Sequence, residues 1–442
     1  MNFARVVVTD APQRGQLTGL RGGLACTAGG ILLGAKDGAI RVTGPAAGIL
    51  GLRPAQRVGM WQEHGSVRIG PYVGIMTNKR PGSVPGFAGL RGRRENYTAL
   101  TRMARQMGAV AFVFAAEDVD FRRRRVQGYT LRGCKWVLTE FPLPDVVYNR
   151  VPDRKSEVSL PVVKVKRQIG QLHPTVKLFN PQFFSKWRLY RQLAGNPELR
   201  QYVPETRICR GPADIITLLH KHGMVYLKPK DTFAGRGIMR VLLRQGKYVL
   251  SYKQGRLYRH ESHADGVALT RAFTARRCSG VYLVQQGLYL AKFRGAIFDV
   301  RVLVQKNGRG QWEVTGMGVR VAARGGITTH VPNGGYIAPM EEVITEVFGE
   351  SAAHPHGLCL EVRQLALKVA TAVEHDVGGV LGEMSMDIGI TTEKQCYVFE
   401  ANAKPMKFDE PTIRVTSLRR IVAFSRYLAG YRDGGGEISV NT

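Results

Sequence analysis

The sequence predicts a mixed α+β protein of two or three packed units, and three observations carry that expectation. Its 442 residues exceed the size at which one hydrophobic core stops growing. Apolar residues make up 44% and charged residues 22%, the balance of a globular chain rather than a disordered one. Strand-like and helical apolar patterns alternate along the chain, with no internal repeat and no low-complexity tract.

Residues 1–65 are rich in glycine and short apolar runs without a helical period, so a small β-rich N-terminal unit is expected there. From residue 66 the texture changes. Tyr72-Val73-Gly74-Ile75-Met76 has strand character, and Leu100, Met103, Ala104 and Met107 fall at helical spacing before Gly108. The buried-strand run 109–116 follows, which makes 66–168 an α/β unit. Phe141-Pro142-Leu143-Pro144-Asp145-Val146-Val147-Tyr148-Asn149-Arg150 is punctuated by proline and gives way to the basic stretch Lys164-Val165-Lys166-Arg167, which places a boundary near 168. Residues 169–430 then form the largest unit, and 431–442 a C-terminal tail. Within the large unit Ser185 can cap a helix holding Lys186, Trp187, Leu189, Tyr190 and Leu193, ended by Gly195-Asn196-Pro197. A second helix carries Val362, Leu365, Ala366, Val369 and Val373 on one face and stops before Gly378-Gly379.

The formal charge of +30, from 64 Lys+Arg against 34 Asp+Glu, would attract nucleic acid, anionic wall polymer, acidic peptide or membrane surface. A solvated arginine-rich surface accounts for it equally well, because the densest run, Arg122 to Arg125, is short and isolated. Six cysteines form no C-x-x-C pair and no zinc spacing, so neither a disulfide framework nor a structural metal is indicated. The first ten residues lack a secretory apolar core and no apolar run approaches the ~20 residues of a membrane span, which leads to the expectation of a cytosolic protein.

The chemistry-bearing residues lie in the last unit. In Val225-Tyr226-Leu227-Lys228-Pro229-Lys230 a period of two puts Lys228 and Lys230 on one face and Val225 and Leu227 in a core. The turn Ala234-Gly235-Arg236-Gly237 follows, and a lysine strand running into free backbone N–H groups suits phosphate oxygens. A surface lysine beside an ordinary turn is the plainer reading, and no Walker A loop is present. Phe298, Val300, Val302 and Val304 alternate with Asp299 and Arg301, which share a polar strand face; Gly318-Val319-Arg320 adds a third basic element. A solvated cross-strand ion pair is the competing reading of that strand. On two later strands Asp387 stands opposite Met386 and Ile388, and Glu400 and Asn402 share a face against Tyr397, Phe399 and Ala401. Two carboxylates and an amide oxygen are hard ligands suited to Mg²⁺, and a carboxylate left alone in so apolar a stretch would be costly. His220-x-His222 and His354-x-His356 have no third ligand and read as loop residues. No nucleophile constellation appears.

Four segments in order resemble the ATP-grasp enzymes and, within them, the YheC/YheD group of endospore coat-associated proteins, over about residues 66 to 430. They are Ile69-Gly70-Pro71-Tyr72-Val73-Gly74-Ile75, the Phe141 to Arg150 segment, Phe298-Asp299-Val300-Arg301 and Glu400-Ala401-Asn402-Ala403-Lys404-Pro405. The resemblance implies an ATP-grasp fold, two α+β subdomains clamping ATP, preceded by an α/β pre-ATP-grasp domain and the β-rich N-terminal unit. It implies ATP and Mg²⁺ as cofactors. Lys186 and Lys228 would be the two nucleotide-binding lysines, Gly235, Arg236 and Gly237 the phosphate-covering loop, and Gln285 and Gln286 the hinge lining the adenine pocket, where many ligases of the superfamily have an acidic residue. Asp387, Glu400 and Asn402 would hold the metal, and Arg301 and Arg320, with Asp299 beside them, would face the transferred phosphate.

The implied reaction is carboxylate–amine ligation through an acylphosphate, with a carboxylate and an amine as substrates. An acidic peptide or anionic cell-wall fragment suits the basic surface. A non-catalytic coat or assembly protein that retains nucleotide binding is the alternative, as is a polyanion-binding module on charge alone. Spore coat proteins are the implied partners, with no specific nucleic acid partner, and the mother-cell cytoplasm or the spore coat is the implied location.

Overall fold

The computed structural model describes all residues except 1, 10–19, 23–24, 28–30, 35–38, 64–65, 83–84, 173, 233–234, 256, 330–333, 350–356, 407, 409 and 432–442. His354, His356, Asn333, Ala234 and nearly all of the C-terminal tail therefore lie outside the described residues.

Four sheets follow one another along the chain. The first is built entirely from the N-terminal 69 residues, with Asn2–Thr9 lying between the central, antiparallel Arg57–Glu63 and parallel Ala39–Thr43. Its last strand, Ser66–Ile69, extends past the expected limit at 65. A short helix, Gly44–Leu50, was not legible in the glycine-rich sequence. The Thr43 hydroxyl accepts from the Ala46 N–H at 3.5 Å at its start, Pro45 stands in its first turn, and Gly51 ends it at φ 60°.

The second sheet has a parallel centre, with Tyr72–Thr77 between Val110–Ala115 and Val146–Asn149, and Lys177–Phe179 beyond. Parallel strands are buried on both faces, and every residue of the first three is buried. The helix Arg94–Gln106 covers one face with Tyr97, Leu100, Thr101 and Ala104. The boundary expected near 168 falls inside a second helix, Leu160–Gln171, whose Val162, Val165 and Ile169 are buried. Pro161 sits at its first turn, where the missing N–H costs nothing, so the basic stretch is the polar face of a helix rather than a linker. The sheet's last strand, Lys177–Phe179, comes after it.

The remaining chain forms two antiparallel sheets with helices on one side of each. Tyr282–Gln286 lies between Thr206–Cys209 and Met224–Pro229 in the third sheet, whose core is closed by Pro212–His222 and Gly266–Arg276. In the fourth, Ala296–Lys306 and Glu383–Ile390 are central, flanked by Trp312–Val321 and Cys396–Asn402. The helix Leu358–Val377 buries the expected face, Val362, Leu365, Ala366, Val369 and Val373, and Gly378 ends it in the left-handed conformation at φ 66°. The helix Pro411–Leu428 packs on both the fourth sheet and Arg94–Gln106, so it joins the second and fourth sheets.

Side chains of two conspicuous sequence segments make that same seam. Tyr148 donates to Glu383, Arg150 lies 3.3 Å from Glu383, and Gln305 donates to it at 3.1 Å. The Asn180 amide donates to the Glu383 carbonyl at 2.8 Å and accepts from the Gly382 N–H at 2.8 Å. Lys404 is buried against Glu157, with its ammonium also donating to the Val151 carbonyl at 3.2 Å; burial pushes its pKa down to about 8. Among the described residues no helix is long and apolar enough to cross a membrane.

Candidate functional site

The third and fourth sheets face each other across a narrow cleft of about 90 Å³. From one side come Tyr226, Lys228, Gly235, Ile238, Gln285 and Gln286; from the other come Asp299, Asp387, Phe399, Glu400 and, from the helix Lys186–Gly195, Lys186 and Tyr190. Leu288, Leu290, Ile297 and Ile327 give it an apolar wall. An apolar wall at one part and clustered charge at another suit a ligand with a flat ring and an anionic tail.

Lys228 sits on the strand Met224–Pro229 with Val225 and Leu227 in the core, so the rigid strand aims its ammonium into the cleft. It donates to the Gln285 side-chain oxygen and lies 5.5 Å from the ring centre of Phe399 and 5.8 Å from that of Tyr226. Burial pushes its pKa down to about 8; the Lys186 ammonium adds to this, while Glu400, Asp387 and Asp299 oppose it. A desolvated ammonium is one whose charge a phosphate would stabilise. Lys186 donates to the Thr232 carbonyl at 2.9 Å and lies 4.0 Å from Glu400. It therefore spans the cleft, tying the glycine turn to the carboxylate side.

The two glutamines divide their work. Gln285 is buried and bridges Lys228 to the Thr206 hydroxyl, to which it donates at 2.9 Å. Gln286 accepts from the Glu205 N–H at 3.1 Å, which pins the hinge strand at its end. In the turn, Gly235 lines the cleft. Arg236 is exposed and outside the lining, and its carbonyl accepts from the Thr232 hydroxyl at 2.9 Å. Gly237, at φ 75°, packs so closely that a Cβ would meet Cys278 Sγ and Pro229 Cγ at 2.9 Å, so its role here is close packing of the turn.

Opposite them the fourth sheet presents two charged rows. Register sets Arg301, Asp387 and Glu400 side by side on three strands, and Arg320 beside Asp299 in the next row. Arg320 donates to both oxygens of Asp299 at 2.9 Å and lies 2.8 Å from Asp387, a bidentate pair with a third partner. Those two carboxylates outweigh the burial of its guanidinium and push its pKa up. Thr329 also donates to Asp299. Arg301 lies 3.9 Å from Asp387 and donates to the Ser385 hydroxyl at 3.3 Å. Asn402 pairs with Ser385 one step along the sheet. Arg301, Arg320 and Asn402 do not line the cleft; they stand behind or beside the carboxylates that do.

One sequence expectation is corrected. Strict alternation put Phe399 with Ala401 on the face away from Glu400, yet Phe399 and Glu400 both line the cleft while Val398 and Ala401 are buried in the core. A β-bulge is the reason: Asp387 faces Glu400 but Ile388 faces Val398, which leaves Phe399 as the extra residue. Its backbone carbonyl accepts from the Tyr190 hydroxyl, whose pKa burial raises.

The donor set suits Mg²⁺. Asp387 and Glu400 offer hard oxygens on adjacent strands, and among the described residues no three His, Cys, Asp or Glu converge. A site with one or two carboxylates is what Mg²⁺ uses when waters and phosphates complete its shell.

Sequence reasoning missed part of this lining. Tyr190, four residues after Lys186 on one helix, and Tyr226, two before Lys228 on one strand, were recoverable from periodicity. Thr329 sits on a loop and carried no signal.

Comparison with known proteins identifies the family of the fold. The family model described as YheC/D-like ATP-grasp matches residues 175–428, more than half of the chain and both cleft-forming sheets. Endospore coat-associated protein YheD of Bacillus subtilis (strain 168) is 29% identical over 377 residues, covering 82% of this chain and 80% of that protein. Endospore coat-associated protein YheC of the same organism is 21% identical over 327 residues, covering 72% of this chain and 88% of that protein. Among solved structures, D-alanyl-alanine synthetase A of Vibrio cholerae O1 biovar eltor has a TM-score of 0.44 at 12% identity, covering 82% of this chain and 97% of that one. The extent of the family match settles the classification: the chain belongs to the YheC/D-like ATP-grasp family.

Proposed function

We propose that the cleft binds Mg-ATP and that the protein is an ATP-dependent carboxylate–amine ligase acting through an acylphosphate, in the setting of sporulation or the endospore coat. The observation that carries this reading is the meeting of Lys186 and Lys228 with Asp387 and Glu400 in one cleft, with two arginines against Asp387.

Lys228 and Lys186 would attract the phosphates, and Lys186 would exchange the Thr232 carbonyl for a phosphate oxygen. Asp387 and Glu400 would hold Mg²⁺, with Asn402 next along the strand; the ion would neutralise charge on the phosphoryl oxygens. A substrate carboxylate oxygen would attack the γ-phosphorus as the bond to ADP breaks. An amine would then attack the acyl carbon, forming the amide and releasing phosphate and a proton. Arg301 and Arg320 hold Asp387 in place and bring positive charge to the carboxylate row, where the acylphosphate and the tetrahedral oxyanion would need it. Tyr226, Phe399 and the apolar wall would receive the adenine, with Gln285 and Gln286 at its edge. The basic surface makes an acidic peptide or anionic cell-wall fragment the proposed substrate class.

The relatives' description as coat-associated favours a second reading, a non-catalytic nucleotide-binding coat protein. Calorimetric titration of the purified protein is expected to show Mg²⁺-dependent ATP binding that Lys228→Ala and Glu400→Ala each weaken at least about tenfold, a loss of about 1.4 kcal/mol. Undiminished affinity in both variants would remove the site assignment. ADP release and a mass gain less one water on incubation with acidic peptides or wall precursors supports the ligase. ATP binding with no turnover across such a panel supports the coat protein.

A further inference from the structure

A second cavity, of about 480 Å³, lies far along the chain from the cleft residues, between the first sheet and the outer edge of the second. Four arginines line it from separate places in the fold: Arg53 from the loop before the strand Arg57–Glu63, Arg57 from the start of that strand, Arg105 from the helix Arg94–Gln106, and Arg132 from the end of Arg125–Arg132. Among the described residues no Asp or Glu lines it. Arg53 is half-buried and its guanidinium donates to the Thr139 hydroxyl at 2.8 Å. Burial lowers its pKa, and the like charge of Arg132 lowers it further. Like charges gathered together repel, and they are stabilised when an anion joins them.

An independent observation points to the same cavity. Thr101 lines it at 4% exposure, and its hydroxyl oxygen has no hydrogen-bond partner. A buried hydroxyl without a partner costs about 1–3 kcal/mol, and a ligand oxygen would relieve it. The floor is apolar, with Pro54, Ala55, Val110, Leu131 and Phe141. A cationic rim over an apolar floor of this size is unlike a subsite for a lone inorganic ion and fits anionic groups carried on a carbon body.

We propose that this cavity binds an organic polyanion, two or more acidic groups on a carbon skeleton, at a site separate from the nucleotide cleft. Arg53, Arg57, Arg105 and Arg132 hold the acidic groups, and Thr101 donates to one of them. The ligand is either a free small polyacid or the side chains of an acidic peptide.

Calorimetric titration of the full chain with citrate and with hexa-L-glutamate, at a fixed ionic strength of about 0.15 M, tests this. One-to-one binding of at least one probe is expected, weakened about tenfold or more by Arg53→Gln/Arg132→Gln and about fivefold by Thr101→Val. The charge-matched control Arg122→Gln/Arg200→Gln, at exposed positions outside the cavity, should change it less than about twofold, and Lys228→Ala should leave it intact. Citrate alone binding identifies a free polyacid; the peptide alone identifies a peptide. Circular dichroism confirms that each variant is folded. The proposal is overturned if neither probe binds, if the two double variants weaken binding equally, as the overall +30 field would, or if Thr101→Val binds as tightly as wild type.

Discussion

Lys228 shows at the scale of one residue how the proposed function opposes stability. Its ammonium is desolvated, so its charged form is disfavoured in the folded chain and its pKa falls to about 8. The ordinary lysine value is near 10.4, and each unit of difference is 1.36 kcal/mol, so holding the charge at neutral pH costs about 3 kcal/mol. Between pH 8 and 10.4 the unfolded chain keeps the proton that the folded chain has released, so stability from this group rises with pH through that window. Below pH 8 the cost is constant. Lys228→Met removes the charge but strands the buried Gln285 oxygen, an offset of about 1–3 kcal/mol. The variant is therefore expected to be equal to or about 2 kcal/mol more stable than wild type at pH 7 and to lose that advantage by pH 10, while ATP binding is lost. Urea unfolding at several pH values measures this, and parallel pH profiles for the two proteins would exclude a strained lysine.

At the scale of elements, the strand Cys396–Asn402 marks where sequence reading stopped. Alternation identifies the rows Asp299–Arg301 and Lys228, because regular strands keep a period of two. It cannot register an inserted residue, since a bulge depends on the partner strand, and so Phe399 was placed on the wrong face. Helix faces were legible for the same reason of period, whereas Gly44–Leu50 was not, because its stability comes from its caps and its packing rather than from a periodic apolar stripe. The arginines were placed near the transferred phosphate by resemblance, and the geometry adds what no local pattern could: Arg320 is committed to Asp299 and Asp387 on three strands at once. The bulge makes its own prediction. Phe399 brings a ring 5.5 Å from Lys228 and next to Glu400, so Phe399→Ala removes a cation–π contact and part of the wall proposed to receive the adenine. ATP affinity should fall by about 1–2 kcal/mol, roughly five- to thirtyfold, with little change in Mg²⁺ dependence. A change in the Mg²⁺ requirement would mean that the bulge also sets the position of Glu400.

Across the whole molecule, burial takes up more acids than bases. Among the described residues Asp145, Glu157, Asp299, Glu383 and Asp387 are buried against Arg320, Arg426 and the side chain of Lys404, so the surface is more basic than +30 alone conveys. Two of these acids, Glu157 and Glu383, lie in the seam that fixes the second sheet to the fourth and thus the proposed pre-ATP-grasp unit to the cleft. Burial raises the pKa of Glu383, and Arg150 counters that shift most, followed by Tyr148 and Gln305. A carboxyl raised in the folded state contributes stability that is complete below its unfolded pKa and is lost as pH rises through its folded one. Arg150→Met leaves the carboxylate buried without its cation, a loss of about 3–5 kcal/mol near neutral pH. Because Glu383 can then take up a proton instead, the loss should be smaller at pH 5 than at pH 8. Wild type is expected to unfold with the two sheets coupled across the seam, while Arg150→Met should resolve two calorimetric transitions. Mg-ATP at about 100 times its dissociation constant, worth about 2.7 kcal/mol, should then raise only the transition of the cleft-forming sheets. If it raises both equally in Arg150→Met, the seam does not depend on Glu383 and Arg150, and the helix Pro411–Leu428 alone carries the coupling.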